Sequence, residues 1–141
     1  MNRRLILLTP LGVALARAVR AQVFTDGGIT IDHPWAKPSV TEAAAAFMVL
    51  KNHGPRADRL VGGASPIAER VILREFDGSP LEFYDLEPGH NVALQPGRRY
   101  IALRGLKRIL AVDDVFPLTL AFAEAPPLEI SVVVAEGPDD S

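Results

Sequence analysis

Apolar and polar residues alternate in short stretches along most of the chain. Residues 28–32 alternate with a period of two and end at a His-Pro pair, which predicts a β-strand. Further short apolar segments of this kind lie at residues 60–62, 70–73, 81–84, 91–94, 100–103, 118–122 and 129–134. Turn sequences rich in Gly, Pro and Asp separate several of them. Eight or nine short strands with turns every ~8–12 residues predict an all-β fold, an antiparallel β-sandwich or barrel.

One segment does not follow this pattern. Residues 41–51 (TEAAAAFMVLK) are rich in strong helix formers, so local propensity favours a helix. The same residues are apolar on both faces of an extended chain, which is typical of a central strand. The pattern alone leaves both alternatives open.

Composition narrows the classes of protein that fit. The 141 residues correspond to one domain at the usual ~100–200 residues each. The absence of cysteine excludes disulfides, zinc–thiolate sites, iron–sulfur clusters and thiol nucleophiles. A formal net charge of −2 argues against a nucleic-acid partner, since such domains are strongly basic.

The N-terminal residues 1–21 are predicted to be a secretory signal peptide, cleaved after Ala21. Arg3 and Arg4 precede a 12-residue apolar run, and small residues lie at Val19 and Ala21. The run is too short for a stable membrane span of ~20 residues. The arginine pair also resembles a twin-arginine export signal, so the export route stays open. We therefore expect an exported, periplasmic protein.

Removal of this leader would change both the net charge and the number of potential metal ligands in the chain. The leader has four of the 15 basic residues and none of the 17 acidic ones, which leaves 11 basic residues and a formal net charge of −6. The predicted β-sandwich domain then spans residues 22–137, followed by a frayed tail at 138–141. Met48 becomes the single methionine of the mature chain.

Several motifs together resemble the PCu(A)C-type periplasmic copper chaperones. They are, in order, ITIDHPWAKP at 29–38, AAAFMVLKN at 44–52, ADRLVGGASP at 57–66, LQPG at 94–97, RGLK at 104–107 and VFPLTLAF at 115–122. The resemblance implies a cupredoxin-like β-sandwich, in which residues 44–51 form a strand. It also implies an ancestral role in Cu(I) delivery for respiratory oxidase assembly, with a periplasmic copper-handling or oxidase-assembly protein as partner.

The same resemblance places the family's copper ligands on residues that cannot bind Cu(I). The first histidine position falls on Arg74, and the His-x-Met pair falls on Tyr100 and Ala102. A further methionine position falls near Leu81 or Phe83. Cu(I) is soft and prefers thioether and imidazole ligands. We therefore predict no metal site of the family's type and assign no cofactor, since copper is implied by the resemblance alone.

Basic residues surround these substituted positions. They are Arg74, Arg98, Arg99, Arg104, Lys107 and Arg108. Such a group favours carboxylates, phosphates or an acidic protein surface. The alternatives are an ordinary solvated surface and a metal-free binding module that uses this arginine-rich edge for an anionic ligand or an acidic partner.

The remaining candidate residues form no recognisable motif. His33, His53 and His90 have no ligand spacing, and Met48 is expected in the core. Trp35 is expected to cap one end of the sandwich core. Because no nucleophile elbow or phosphate-binding loop is present, we expect no enzyme and no catalytic residues.

Overall fold

A computed structural model describes residues 23–26 and 28–137. These residues form strands and no helix. The strands are β1 (Val23–Asp26), β2 (Ile29–Ala36), β3 (Ala43–Asn52), β4 (Asp58–Ala64), β5 (Ala68–Arg74), β6 (Pro80–Leu81), β7 (Tyr84–Leu86), β8 (Asn91–Leu94), β9 (Tyr100–Leu106), β10 (Val115–Phe122) and β11 (Leu128–Val134). The all-β, cupredoxin-like fold predicted from the sequence is confirmed.

Strand β3 lies at the centre of the sheet and carries the segment that the pattern left ambiguous. One edge of β3 pairs with β2, while the other pairs with β9 along its first half and with β8 along its second half. The strand order is β6-β5-β9-β3-β2-β11-β10-β4-β7, with β1 added beside β2. Residues 43–52 are therefore a strand because both edges and most of both faces are covered, which overrides their helix propensity.

The core follows from the period-two pattern. In β10, Phe116, Leu118 and Leu120 point inward and are fully buried, whereas the residues between them are partly exposed. Ile130 and Val132 of β11 and Ile29 and Ile31 of β2 fill the same interior. Leu73 of β5 and Leu60 of β4, from opposite halves of the strand order, belong to the same core.

The structure differs from the sequence prediction in three details. The predicted strand at 81–84 is broken, because Tyr84 turns inward and begins β7 while Pro80–Leu81 alone pairs with β5. β1 is an additional strand. The sheet also includes one short parallel pairing, between β11 and β2, in an otherwise antiparallel arrangement.

The predicted signal peptide at 1–21 and the frayed tail at 138–141 lie outside the described residues. Within the described ranges, no helix has the length and apolarity needed to cross a membrane.

Candidate functional site

The three positions that the family resemblance equates with copper ligands lie side by side on one sheet face. Arg74 of β5 is the direct cross-strand partner of Tyr100 in β9. Ala102 follows two residues later, between Ile72 of β5 and Ala45 of β3. Because alternate residues of a strand face the same way, Tyr100, Ala102 and Arg104 share a face.

These residues line a shallow depression of about 530 Å³, which we call the basic depression: Lys37, Arg74, Tyr100, Ala102 and Arg104 around a floor of Ala43, Ala44 and Ala45. Ala102 is only 5% exposed and forms part of that floor. The loop after β2 contributes Lys37 and Ser39, which the sequence analysis did not single out. No local motif marks them, because long-range contacts bring that loop beside β9: the pairing of β3 with β9 and a bridge between Ser39 and Leu110.

The two arginines of the basic depression have different partners. Arg104 donates two hydrogen bonds to one oxygen of Glu42, with Nη2 at 2.8 Å and Nε at 3.1 Å from Oε2. The hydrogen bond from Arg104 and one from the Gly105 backbone lower the pKa of Glu42 below its ordinary value. Arg74 donates from Nη1 to the carbonyl oxygen of Gly78 at 2.7 Å. This carbonyl is neutral and does not offset the charge of Arg74, and within the described ranges Arg74 has no carboxylate partner.

A buried phenol supports the basic depression from beneath. Tyr84 Oη accepts a hydrogen bond from the Arg74 backbone N–H at 3.0 Å, and lies 2.7 Å from the carbonyl oxygens of Arg74 and Tyr100. The hydroxyl has one proton, so it donates to one of these carbonyls at a time. Burial raises the pKa of Tyr84 to about 12. The Tyr84 side chain extends from β7 across the interior and holds the backbone of β5 at Arg74 and of β9 at Tyr100.

The other four basic residues predicted for one edge are distributed over the surface. Arg98 and Arg99 line a neighbouring hollow with Glu75 and Phe76. Arg99 is held by Glu75 at 3.1 Å and lies 5.4 Å from the ring centre of Tyr84.

Lys107 and Arg108 follow the far end of β9 and are exposed. At about 3.3 Å per residue, β9 is roughly 20 Å long, and it separates these two residues from Arg98 and Arg99. Of the six basic residues, the structure therefore brings Arg74 and Arg104 together in the basic depression.

The positions proposed for the family's other methionine have structural partners of their own. Leu81 pairs with Leu73 and packs against the core. The Arg59 guanidinium lies 4.1 Å from the centre of the Phe83 ring, a cation–π contact. Neither residue contributes a donor atom to the basic depression.

The histidine imidazoles and the Met48 thioether lie outside the basic depression. Met48 is 2% exposed, as expected for a core residue, whereas His33, His53 and His90 are exposed. Among the described residues, no group of three or more His, Cys, Asp or Glu side chains could hold a metal ion. Trp35 is half-buried and packs on Phe47 with 4.8 Å between ring centres.

Comparison with known proteins places this fold in a family. A family profile described as "Putative lipoprotein LpqE-like" matches residues 29–134. A curated relative, "Putative lipoprotein Lxx21020" of Leifsonia xyli subsp. xyli, is 26% identical over 117 residues, covering 77% of this chain and 70% of the relative.

Two solved structures extend the comparison. The copper-bound PCuAC domain from PmoF2 is 26% identical, with a TM-score of 0.75 over 83% of this chain and 99% of that domain. The Cu(I)-bound DR1885 protein from Deinococcus radiodurans is 25% identical, with a TM-score of 0.60 over 89% of this chain and 87% of that protein. The chain therefore belongs to the LpqE-like family and has the fold of a PCuAC-type copper-chaperone domain.

Proposed function

We propose that this protein is an exported PCuAC-type binding module whose basic depression takes a carboxylate or phosphate group instead of Cu(I). The observation that carries the proposal is the adjacency of Arg74 and Tyr100 in register, with Ala102 on the same face. These are the positions where the family resemblance places two histidines and a methionine.

The donor set at these positions is unsuited to Cu(I). A guanidinium stays protonated and presents N–H donors with no lone pair for a metal, and an alanine has no donor atom. The soft cation prefers imidazole and thioether ligands, and the positive charge of Arg74 repels it. Met48 is buried in β3 and lines no part of the basic depression.

The same groups suit an anion. Arg74 offers the N–H groups that its contact with Gly78 leaves unused, and its planar fork matches carboxylate and phosphate oxygens. Lys37 adds a second positive charge, and the hydroxyl of Tyr100 can donate a hydrogen bond. The small alanines of the floor leave room for an anionic group to approach these donors.

Cellular location and partner follow from the sequence and the family. The predicted leader at 1–21 and the lipoprotein description of the family support export to the periplasm. A periplasmic copper-handling or oxidase-assembly protein with an acidic surface would suit the basic depression. In this proposal the domain contacts such a partner and leaves the copper to it.

Titration with citrate and with inorganic phosphate tests the anion site. We expect saturable shifts of the backbone amide signals of residues 74, 100 and 104 in a ¹H–¹⁵N spectrum. The Arg74→Gln variant should bind about tenfold more weakly, because a charge-assisted hydrogen bond contributes about 1.5–3 kcal/mol. The matched control is Arg56→Gln, which removes an exposed arginine from the β3–β4 turn and should leave binding unchanged. Equal affinities in the wild type and both variants would contradict the proposal.

A further inference from the structure

A second, more enclosed cavity lies on a different part of the molecule. It has a volume of about 740 Å³, within the range of ~300–1,000 Å³ typical of small-molecule sites. The middle of β2 and β3, the turn after β8, the turn before β10 and the end of β11 surround it. It shares no lining residue with the basic depression. A ligand in this cavity would therefore not contact the proposed anion site.

Unusual backbone geometry is concentrated at this cavity. Among the described residues, the non-glycine residues with positive φ are His33 at 48° and Asp113 at 78°, and both line it. The register between β2 and β3 shifts from Asp32 to Trp35, so His33 and Pro34 form a bulge opposite Met48. Bulges and left-handed non-glycine residues are concentrated at functional sites, where the surrounding structure maintains them.

The lining combines an apolar interior with negative charge. Trp35, Val112 and Val133 contribute apolar surface, and Met48 and Leu94, each 2% exposed, lie behind them. The charged residues of the lining are Asp32 and Asp113, and no lysine or arginine lies among them. Lys51, from outside the lining, contacts Asp32 at 2.7 Å.

From this combination we infer that the cavity binds a small apolar molecule that carries a positively charged head group. The apolar body would lie against Trp35, Val112 and Val133. The Asp32 carboxylate, which Lys51 also contacts, favours a positive head, and a tryptophan ring is the aromatic surface that best attracts a cation. The absence of a basic residue in the lining disfavours an anion at this place.

The chain provides its own reporter for a test. Trp35 is the single tryptophan, so selectively excited tryptophan fluorescence reports on this cavity. Full-length protein is titrated with phenyltrimethylammonium and, separately, with its neutral isostere tert-butylbenzene. We expect a saturable change of Trp35 fluorescence with both, and about tenfold tighter binding of the cation, as expected for a cation–π and charge contribution.

Two valines offer a matched pair of variants. Val112 lines the cavity and is 45% exposed, whereas Val61 is 44% exposed on β4 and lies outside it. Val112→Lys should weaken binding of the ammonium about tenfold by charge repulsion and leave tert-butylbenzene almost unaffected. Val61→Lys should change neither. Lys51→Gln should tighten ammonium binding, because it removes the cation that competes for Asp32.

Three results would overturn the inference. The first is the absence of a saturable response to phenyltrimethylammonium, and the second is equal affinity for the ammonium and its neutral isostere in the wild type. The third is a Trp35 response to Cu(I) that disappears in Met48→Leu while the ammonium gives none, which would assign the cavity to a metal.

Discussion

Replacing Arg74 and Tyr100 by histidine and Ala102 by methionine is expected to raise the affinity for Cu(I) by about a hundredfold, which corresponds to about 2.7 kcal/mol. The three positions are neighbours on β5 and β9, so the new side chains would project from one sheet face. Two imidazoles and a thioether form a donor set that Cu(I) accepts at low coordination number. The substitution also removes the positive charge of Arg74.

The measurement is an anaerobic competition titration against a chromophoric Cu(I) chelator. A control variant with Arg74→Gln, Tyr100→Phe and Ala102→Leu removes the same charge without adding metal ligands. We expect this control to bind no more Cu(I) than the wild type does. An increase in the control equal to that of the His/His/Met variant would show that charge, and not the donor set, determines copper affinity at this face.

Replacing Tyr84 by phenylalanine is expected to lower the free energy of unfolding by about 2 kcal/mol. The hydroxyl is fully buried and contacts the N–H and carbonyl of Arg74 and the carbonyl of Tyr100. Without it, the backbone of β5 and β9 loses a buried hydrogen-bond partner that no water replaces. Urea unfolding measures the change, with Tyr100→Phe as the control, because Tyr100 is only half-buried. A loss at Tyr84→Phe no larger than that at Tyr100→Phe would contradict the bridging role.

The same hydroxyl predicts a loss of stability at alkaline pH. The pKa of Tyr84 is raised to about 12 by burial, against an ordinary value of 10.0. The folded state therefore favours the protonated phenol, and this contribution is complete below pH ~10 and is lost as pH rises toward ~12. Unfolding free energies measured across this interval should decline more steeply in the wild type than in Tyr84→Phe. If the unfolding free energies of the two proteins decline equally steeply with pH, Tyr84 is not the cause of the loss.

Most of the strands could be predicted because one face of each is buried and the other is partly exposed. The segment 91–94 was predicted with the bounds of β8. Residues 43–52 could not be assigned from their pattern, because local propensity favours a helix there. Their pairing with β2, β8 and β9, which decides the matter, is a long-range property. The family resemblance implied a strand at residues 44–51, which the local pattern alone could not decide.

The candidate site was predictable in part. The family resemblance assigned Arg74, Tyr100 and Ala102 to one site although Arg74 and Tyr100 are 26 positions apart, and in the structure the three residues are neighbours. The basic residues around them were grouped by their nearness in sequence. Strand β9 divides this group of basic residues. Arg98 and Arg99 precede the strand, whereas Lys107 and Arg108 follow it. Lys37 and Tyr84 reach the site only through the fold.

The sequence analysis did not predict the cavity beside Trp35. His33 and Asp113 lie 80 positions apart, and their left-handed conformations are visible only in three dimensions. The sequence analysis placed Met48 in the core, and the structure agrees, but the same side chain also lines this cavity.

We propose that the face formed by Arg74, Tyr100 and Ala102 does not hold Cu(I) in this protein. An anaerobic titration of the wild-type protein into the Cu(I) complex of bicinchoninate measures this. We expect the chelator to retain its copper when one equivalent of protein is present. Transfer of one equivalent of Cu(I) to the wild-type protein would show that the wild-type residues bind the metal after all.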